Sequence, residues 1–267
     1  MVQCADTLVF VICLESKSKT RCDANMHSIQ SVFPLAQRTQ AVDAATLDTN
    51  NDSRISCFAK YHSKHKMDAD IMHLNSPGAV GCSLSHIGMW QKCVSLGHPI
   101  VVIEDDMFLD HHKATQIRTA MSKIPPSSEF ASILYLPFMS NDKNCKQDWC
   151  PIKYGFGGLQ MYYVTPTGAE ILLREAFPVI THADVYVGAM SETYPELNAV
   201  RWNDHIYTHF EAIKDNMSST LSHKLRIRKV LPHGNAFYLV CVGLFVVVVA
   251  WAVISTVKLA NIRRDIQ

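Results

Sequence analysis

The sequence predicts an α/β domain built on a mostly parallel sheet and flanked by helices, followed by one C-terminal transmembrane helix. Three observations predict it. The apolar run at residues 7–14 and the run "IVVI" at 100–103 read as strands buried on both faces. The segment "PGAVGCSLSHIGMWQKCVSLGHP" leads straight into the second run, and a helix feeding an apolar strand is the grammar of a parallel α/β sheet. Residues 236–257 carry no charge, and a helix of that length is about 33 Å long, enough for a hydrocarbon core of about 30 Å.

The elements follow in order. Residues 7–14 are the first strand; 15–21 are polar and basic, and a helix is expected to follow through Val32. "QAVDA", residues 40–44, reads as a short second strand, and "DTNNDS", 48–53, as loop. Pro77 and Gly78 open a helix in which Leu84, Ile87, Trp90 and Val94 recur at helical spacing, and Gly97 and Pro99 close it. Trp90 and Cys82 read as core residues of that helix. Farther on, "GLQMYYVTPTGAEILLREAF" gives a strand, a Thr165 cap, Pro166 at the first helical position and a helix to Ala176.

With 267 residues the chain can bury a sizeable core. Its 25 Lys+Arg balance 24 Asp+Glu, which removes any global pull toward nucleic acid and leaves function to local clusters. The expected organisation is a main domain at 1–222, a basic juxtamembrane linker at 223–235, the span at 236–257 and a short tail at 258–267. No cleavable signal peptide is expected, because "TLVFVICL" is short and lacks a basic n-region. Lys224, Arg226, Arg228 and Lys229 precede the span and Lys258, Arg263 and Arg264 follow it, so the expected form is a single-pass, C-terminally anchored protein of the endomembrane system with a cytosolic body. Nine cysteines, without paired spacing apart from Cys145 and Cys150, fit a reduced compartment. A disulfide at that pair, and use of the sequons at Asn51 and Asn216, belong to the reversed orientation.

Residues 100–110, "IVVIEDDMFLD", pose a chemical question. An apolar strand breaks into Glu104, Asp105 and Asp106, three carboxylates that repel one another and resist desolvation. Along a strand Glu104 and Asp106 point to one side and Asp105 to the other. A carboxylate pair at the C-terminal end of a parallel strand, where open α/β sheets bind ligands, can share a hard cation such as Mn²⁺ or Mg²⁺. A solvated acidic turn fits the same tripeptide. Asp184, isolated among apolar residues in "HADVYVG", is a candidate general base or a further metal ligand. Gly155, Gly157 and Gly158 read as flexible loop or as a place for close backbone approach, and His205 and His209 as late candidate ligands.

"GCSLSHIGMW" followed after about a dozen residues by "IVVIEDD" resembles the signature of glycosyltransferase family 25, the lipooligosaccharide and collagen galactosyltransferase group. Weaker similarities follow in the family's order: the opening strand with Arg21, "AVDA" at 41–44, and "YYVTPTGAEILL" with "HADVYV". The resemblance implies a GT-A fold, a UDP-sugar donor and a divalent cation. It places Glu104 and Asp106 at the ribose or metal–diphosphate unit with Asp105 in support, Ser85 and His86 at the nucleotide pocket, and Arg21 toward the diphosphate. His86 also fits a role packed within its helix, and Arg21 a solvated loop. Cys13 stands where members usually carry Asn, and Ala79 replaces a customary acidic residue.

The expected function is thus metal-assisted, inverting transfer of a hexose from a UDP-sugar to an acceptor hydroxyl on a glycan, lipid-linked or protein acceptor, with Asp184 as base. A tail-anchored, catalytically silent binding or structural protein with the same fold is the rival, and a metal-dependent hydrolase using the same carboxylates is a third reading.

Overall fold

A computed structural model describes residues 7–65, 74–135, 145–153 and 156–204. Among them, seven strands form one sheet in the order β2-β1-β3-β6-β4-β7-β5. These are β1 (Leu8–Cys13), β2 (Gln37–Gln40), β3 (Ile100–Glu104), β4 (Phe130–Leu134), β5 (Trp149–Pro151), β6 (Met161–Val164) and β7 (Ala199–Trp202). The helices are α1 (Glu15–Val32), α2 (Cys57–His65), α3 (Pro77–Leu96), α4 (His111–Ser122), α5 (Pro166–Leu173) and α6 (Ala183–Thr193). β1 pairs in parallel with β2 and β3, and β4 with β7, whereas β6 and β5 run against their neighbours. Five of the seven strands therefore share one direction, as the apolar runs predict, with a reversed strand wedged at the centre.

Alternation along β3 organises the core. Ile100 and Val102 pack on one face with α3, α5 and α6, and Val101 and Ile103 on the other with α1 and α4. All four are fully buried, which explains a strand with no polar face. Burying each such side chain stabilises the fold by about 1.5–3 kcal/mol. α3 runs as its sequence signals direct: Ser76 accepts the Ala79 amide, Pro77 occupies the first turn, and Gly97 closes the helix at φ 65°. Trp90 is fully buried and lies against Tyr186, ring centroids 5.8 Å apart.

Some boundaries differ from expectation. α1 starts at Glu15, so the polar stretch 15–21 is its opening turns; Cys22, Met26 and Ile29 supply the buried stripe at helical spacing. β2 ends at Gln40, where "QAVDA" was expected to begin. The Ala41 amide still bonds Cys13 O at 2.8 Å, but the Val42 amide donates to Ser85 Oγ and Asp43 opens a turn by accepting the Ala45 amide. α5 ends at Leu173, short of Ala176, ahead of Pro178.

The cysteines depart from a fully reduced set. Cys13 joins Cys22, and Cys145 joins Cys150. The first pair has no sequence signature: α1 turns back along β1 and brings the two Cα atoms to 5.9 Å. Among the described residues no helix is long and apolar enough to cross a membrane. The expected linker at 223–235, span at 236–257 and tail at 258–267 lie outside the described residues, as do Gly155, His205, His209 and Asn216.

Candidate active site

The acidic cluster sits at the carboxyl end of β3, and the strand's own alternation sorts it. Glu104, the last strand residue, continues the face of Ile100 and Val102 toward α3, where its Oε1 lies 3.1 Å from His86 Nε2. Asp105 continues the opposite face toward α1. Its Oδ1 accepts from Arg21 Nη2 at 2.6 Å, its Oδ2 accepts the Leu14 amide at 3.1 Å, and its backbone carbonyl accepts from Asn25 Nδ2 at 2.6 Å. Arg21 is therefore ion-paired to Asp105. Burial nevertheless holds the Asp105 carboxyl above its ordinary range, outweighing the opposing pull of Arg21. Leu14 and Arg21 are the sequence neighbours of Cys13 and Cys22, so the disulfide braces the corner that grips Asp105.

Asp106 reaches solvent from densely packed surroundings. Desolvation and the charge of Glu104 push its carboxyl up to about 7. The last acid of the stretch, Asp110, caps α4 by accepting the Lys113 amide at 2.8 Å.

α3 supplies the facing wall. His86 is almost completely buried; its Nδ1 lies 3.2 Å from the hydroxyl of Tyr162, a fully buried residue of β6. One turn earlier, Cys82 is exposed and forms no disulfide. Its thiol is held well above its ordinary range, first by the crowding of neighbouring protein and then by the charges of Glu104, Asp184, Asp106 and Asp105. The contacts that geometry gives Cys82 are on one side: its Sγ, a His86 ring nitrogen and a Glu104 carboxylate oxygen lie within 4.8 Å of one another. Asp184 lies in the first turn of α6, with Oδ2 accepting the Gly158 amide at 2.7 Å and Oδ1 the Val185 amide at 2.8 Å. Gly158, at φ 87°, adopts a conformation that favours glycine, so Asp184 pins this loop.

The structure thus brings Glu104 to His86 and Asp105 to Arg21, and gives Asp184 the Gly158 and Val185 amides. Ser85 engages backbone groups on both sides. It is buried, accepts the Val42 amide at 2.9 Å and donates to Gly81 O at 2.7 Å, fastening the 41–44 segment to α3. Cys82, read from sequence as a core residue, is exposed instead and lies near Glu104 and His86. The Cys82/His86 spacing of four residues on one helix was the signal that could have found it. Tyr162 and Asn25 gave no such signal.

The features define a class: an α/β protein with an acidic cluster at the carboxyl edge of its sheet, the usual ligand side of such folds. Its family follows from comparison with known proteins. The chain belongs to glycosyltransferase family 25, described as an LPS biosynthesis protein family, which it matches over residues 7–187. A search of curated proteins finds no match. Family membership makes this a glycosyl-transfer domain, working on a sugar donor and an acceptor.

Proposed function

We propose that the domain transfers a hexose from a UDP-sugar to an acceptor hydroxyl with inversion, as a GT-A-type enzyme assisted by Mn²⁺ or Mg²⁺. The observation that carries the reading is the family match over residues 7–187 together with the three acids Glu104, Asp105 and Asp106 at the carboxyl end of β3. The donor chemistry suits a hard divalent cation: Glu104 is partly exposed and Asp106 exposed, both offer carboxylate oxygens, and the desolvation and Glu104 charge that raise the Asp106 carboxyl are costs that a cation offsets. Glu104 and Asp106 would hold the ion, which when bound offsets the negative charge growing on the departing UDP.

The chain's own residues do the rest. His86 holds Glu104 in place, Tyr162 fixes the imidazole, and the Arg21–Asp105 pair fixes the turn that carries Asp106. Asp184 takes the acceptor proton as the acceptor oxygen bonds to the anomeric carbon and the bond to phosphate breaks; each of its oxygens keeps a lone pair beyond the amide it accepts. A single displacement of this kind inverts the anomeric centre.

The membrane anchor at 236–257 belongs to the same proposal. Two disulfides support an oxidising compartment for the body, the reverse of the orientation read from flanking charge. The direct test is UDP release from a panel of UDP-sugars by the full chain with and without Mn²⁺. Release from one sugar, dependent on cation, is expected; release from none in the presence of an acceptor mixture overturns the transferase reading in favour of the silent form.

A further inference from the structure

Beside Glu104 lie two donors, Cys82 and His86, that the carboxylate pair does not use. Cys82 Sγ, a His86 ring nitrogen and a Glu104 carboxylate oxygen lie within 4.8 Å of one another. We infer that these three side chains form a binding site for a thiophilic divalent cation of the Zn²⁺ type, which competes with the hard donor-site cation by taking Glu104.

The geometry is close to what such an ion requires. Bonds of about 2.0–2.3 Å in a tetrahedral arrangement set ligand atoms about 3.3–3.8 Å apart. The His86–Glu104 edge, 3.1 Å, is slightly short of that spacing, and the thiol needs to approach by about 1.5 Å at most. Cys82 and His86 stand one turn apart on the same face of α3, a rigid 20-residue helix, so the pair is preorganised. His86 also has the outer partner that metal-binding imidazoles usually have. When Nδ1–H donates to Tyr162 Oη, Nε2 turns its lone pair toward Glu104. Tyr162 is fully buried and held in register opposite Val102, so this orientation is fixed by the sheet.

Ligand chemistry separates the two modes. A sulfur–nitrogen–oxygen set favours zinc-like ions, whereas Mn²⁺ and Mg²⁺ prefer an all-oxygen set. Binding breaks the Cys82 S–H bond, forms a cation–sulfur bond and releases one proton to water; no oxidation is involved. Three protein ligands leave a fourth position for water. Glu104 cannot serve both ions in full, so occupancy of the soft site weakens the hard one. This competition rests on the proposed donor site; the cation site itself does not.

The test uses the full chain and Co²⁺ as a spectroscopic stand-in for Zn²⁺. The parent is expected to show a thiolate-to-cobalt charge-transfer band that is lost in Cys82→Ser and kept in Asp106→Asn, with circular dichroism confirming that both variants are folded. Zn²⁺ is expected to weaken Mn²⁺-dependent UDP binding at least tenfold in the parent and much less in Cys82→Ser. Absence of the band, its survival in Cys82→Ser, or its loss in Asp106→Asn overturns the site. Mn²⁺-dependent UDP binding untouched by Zn²⁺ overturns the competition. A chain that binds no UDP refutes the donor reading instead, while the cobalt band still decides the cation site.

Discussion

Two glycines on α3 give opposite expected outcomes for the same substitution. A Cβ at Gly81 would lie 2.7 Å from Val42 O and 3.4 Å from two atoms of Ala44, whereas at Gly88 it would meet nothing within 4 Å. Restoring ordinary contact at Gly81 means moving the 41–44 segment from 2.7 to at least 3.4 Å, a shift of about 0.7 Å. The bond from the Val42 amide to Ser85 Oγ, now 2.9 Å, would then stretch to about 3.6 Å and fail. Overpacking costs about 1–3 kcal/mol and the lost bond about 0.5–1.5 kcal/mol, while alanine regains about 1 kcal/mol of helix propensity. Gly81→Ala should therefore destabilise by about 2 kcal/mol, and Gly88→Ala should stabilise by about 0.5–1 kcal/mol. With a urea slope of about 2 kcal/mol per molar, the midpoints move down by about 1 M and up by a few tenths. A Gly81→Ala protein as stable as the parent would refute the close approach of α3 to this segment.

Further outcomes concern the candidate site and the compartment. Asp184→Asn is expected to lower turnover by about a hundredfold with donor affinity little changed, measured by steady-state kinetics; a fall in affinity instead moves Asp184 to the metal site. Replacing both Cys13 and Cys22 by alanine is expected to weaken donor binding by loosening Leu14 and Arg21 around Asp105, read by calorimetric titration of UDP; unchanged affinity separates the disulfide from the site. Asn51 is exposed in a loop, so a lumenal body is expected to carry a glycosidase-sensitive mass increase there in eukaryotic cells. Its absence favours the cytosolic orientation.

Much of the fold was legible because its strongest elements are local. The Ser76–Pro77 start and Gly97 stop of α3, the uninterrupted apolar run of β3 and the Thr165–Pro166 opening of α5 all follow rules of short range. What escaped depends on contacts distant in sequence. β2 is polar, "QRTQ", and is a strand because β1 offers it a partner. The reversal of β6 between β3 and β4 leaves no trace in "MYYV". The same division holds in the site. Opposite facing of Glu104 and Asp105 follows from strand alternation, but the partners they meet, His86 and Tyr162 on one side, Arg21 and Asn25 on the other, come from other elements. Ser85, placed at the nucleotide pocket by the family resemblance, accepts the Val42 amide, a partner that no local rule gives.

The central claim is that the acids at the end of β3 hold a cation on which sugar transfer depends. UDP release from the accepted UDP-sugar, followed in the parent and in Asp106→Asn over a range of Mn²⁺, tests it most directly. The substitution keeps the shape of the side chain and removes the charge that binds the ion. Cation-dependent release in the parent, lost in the folded variant, is the predicted result. Release that needs no divalent cation, or that persists undiminished in Asp106→Asn, would contradict the account.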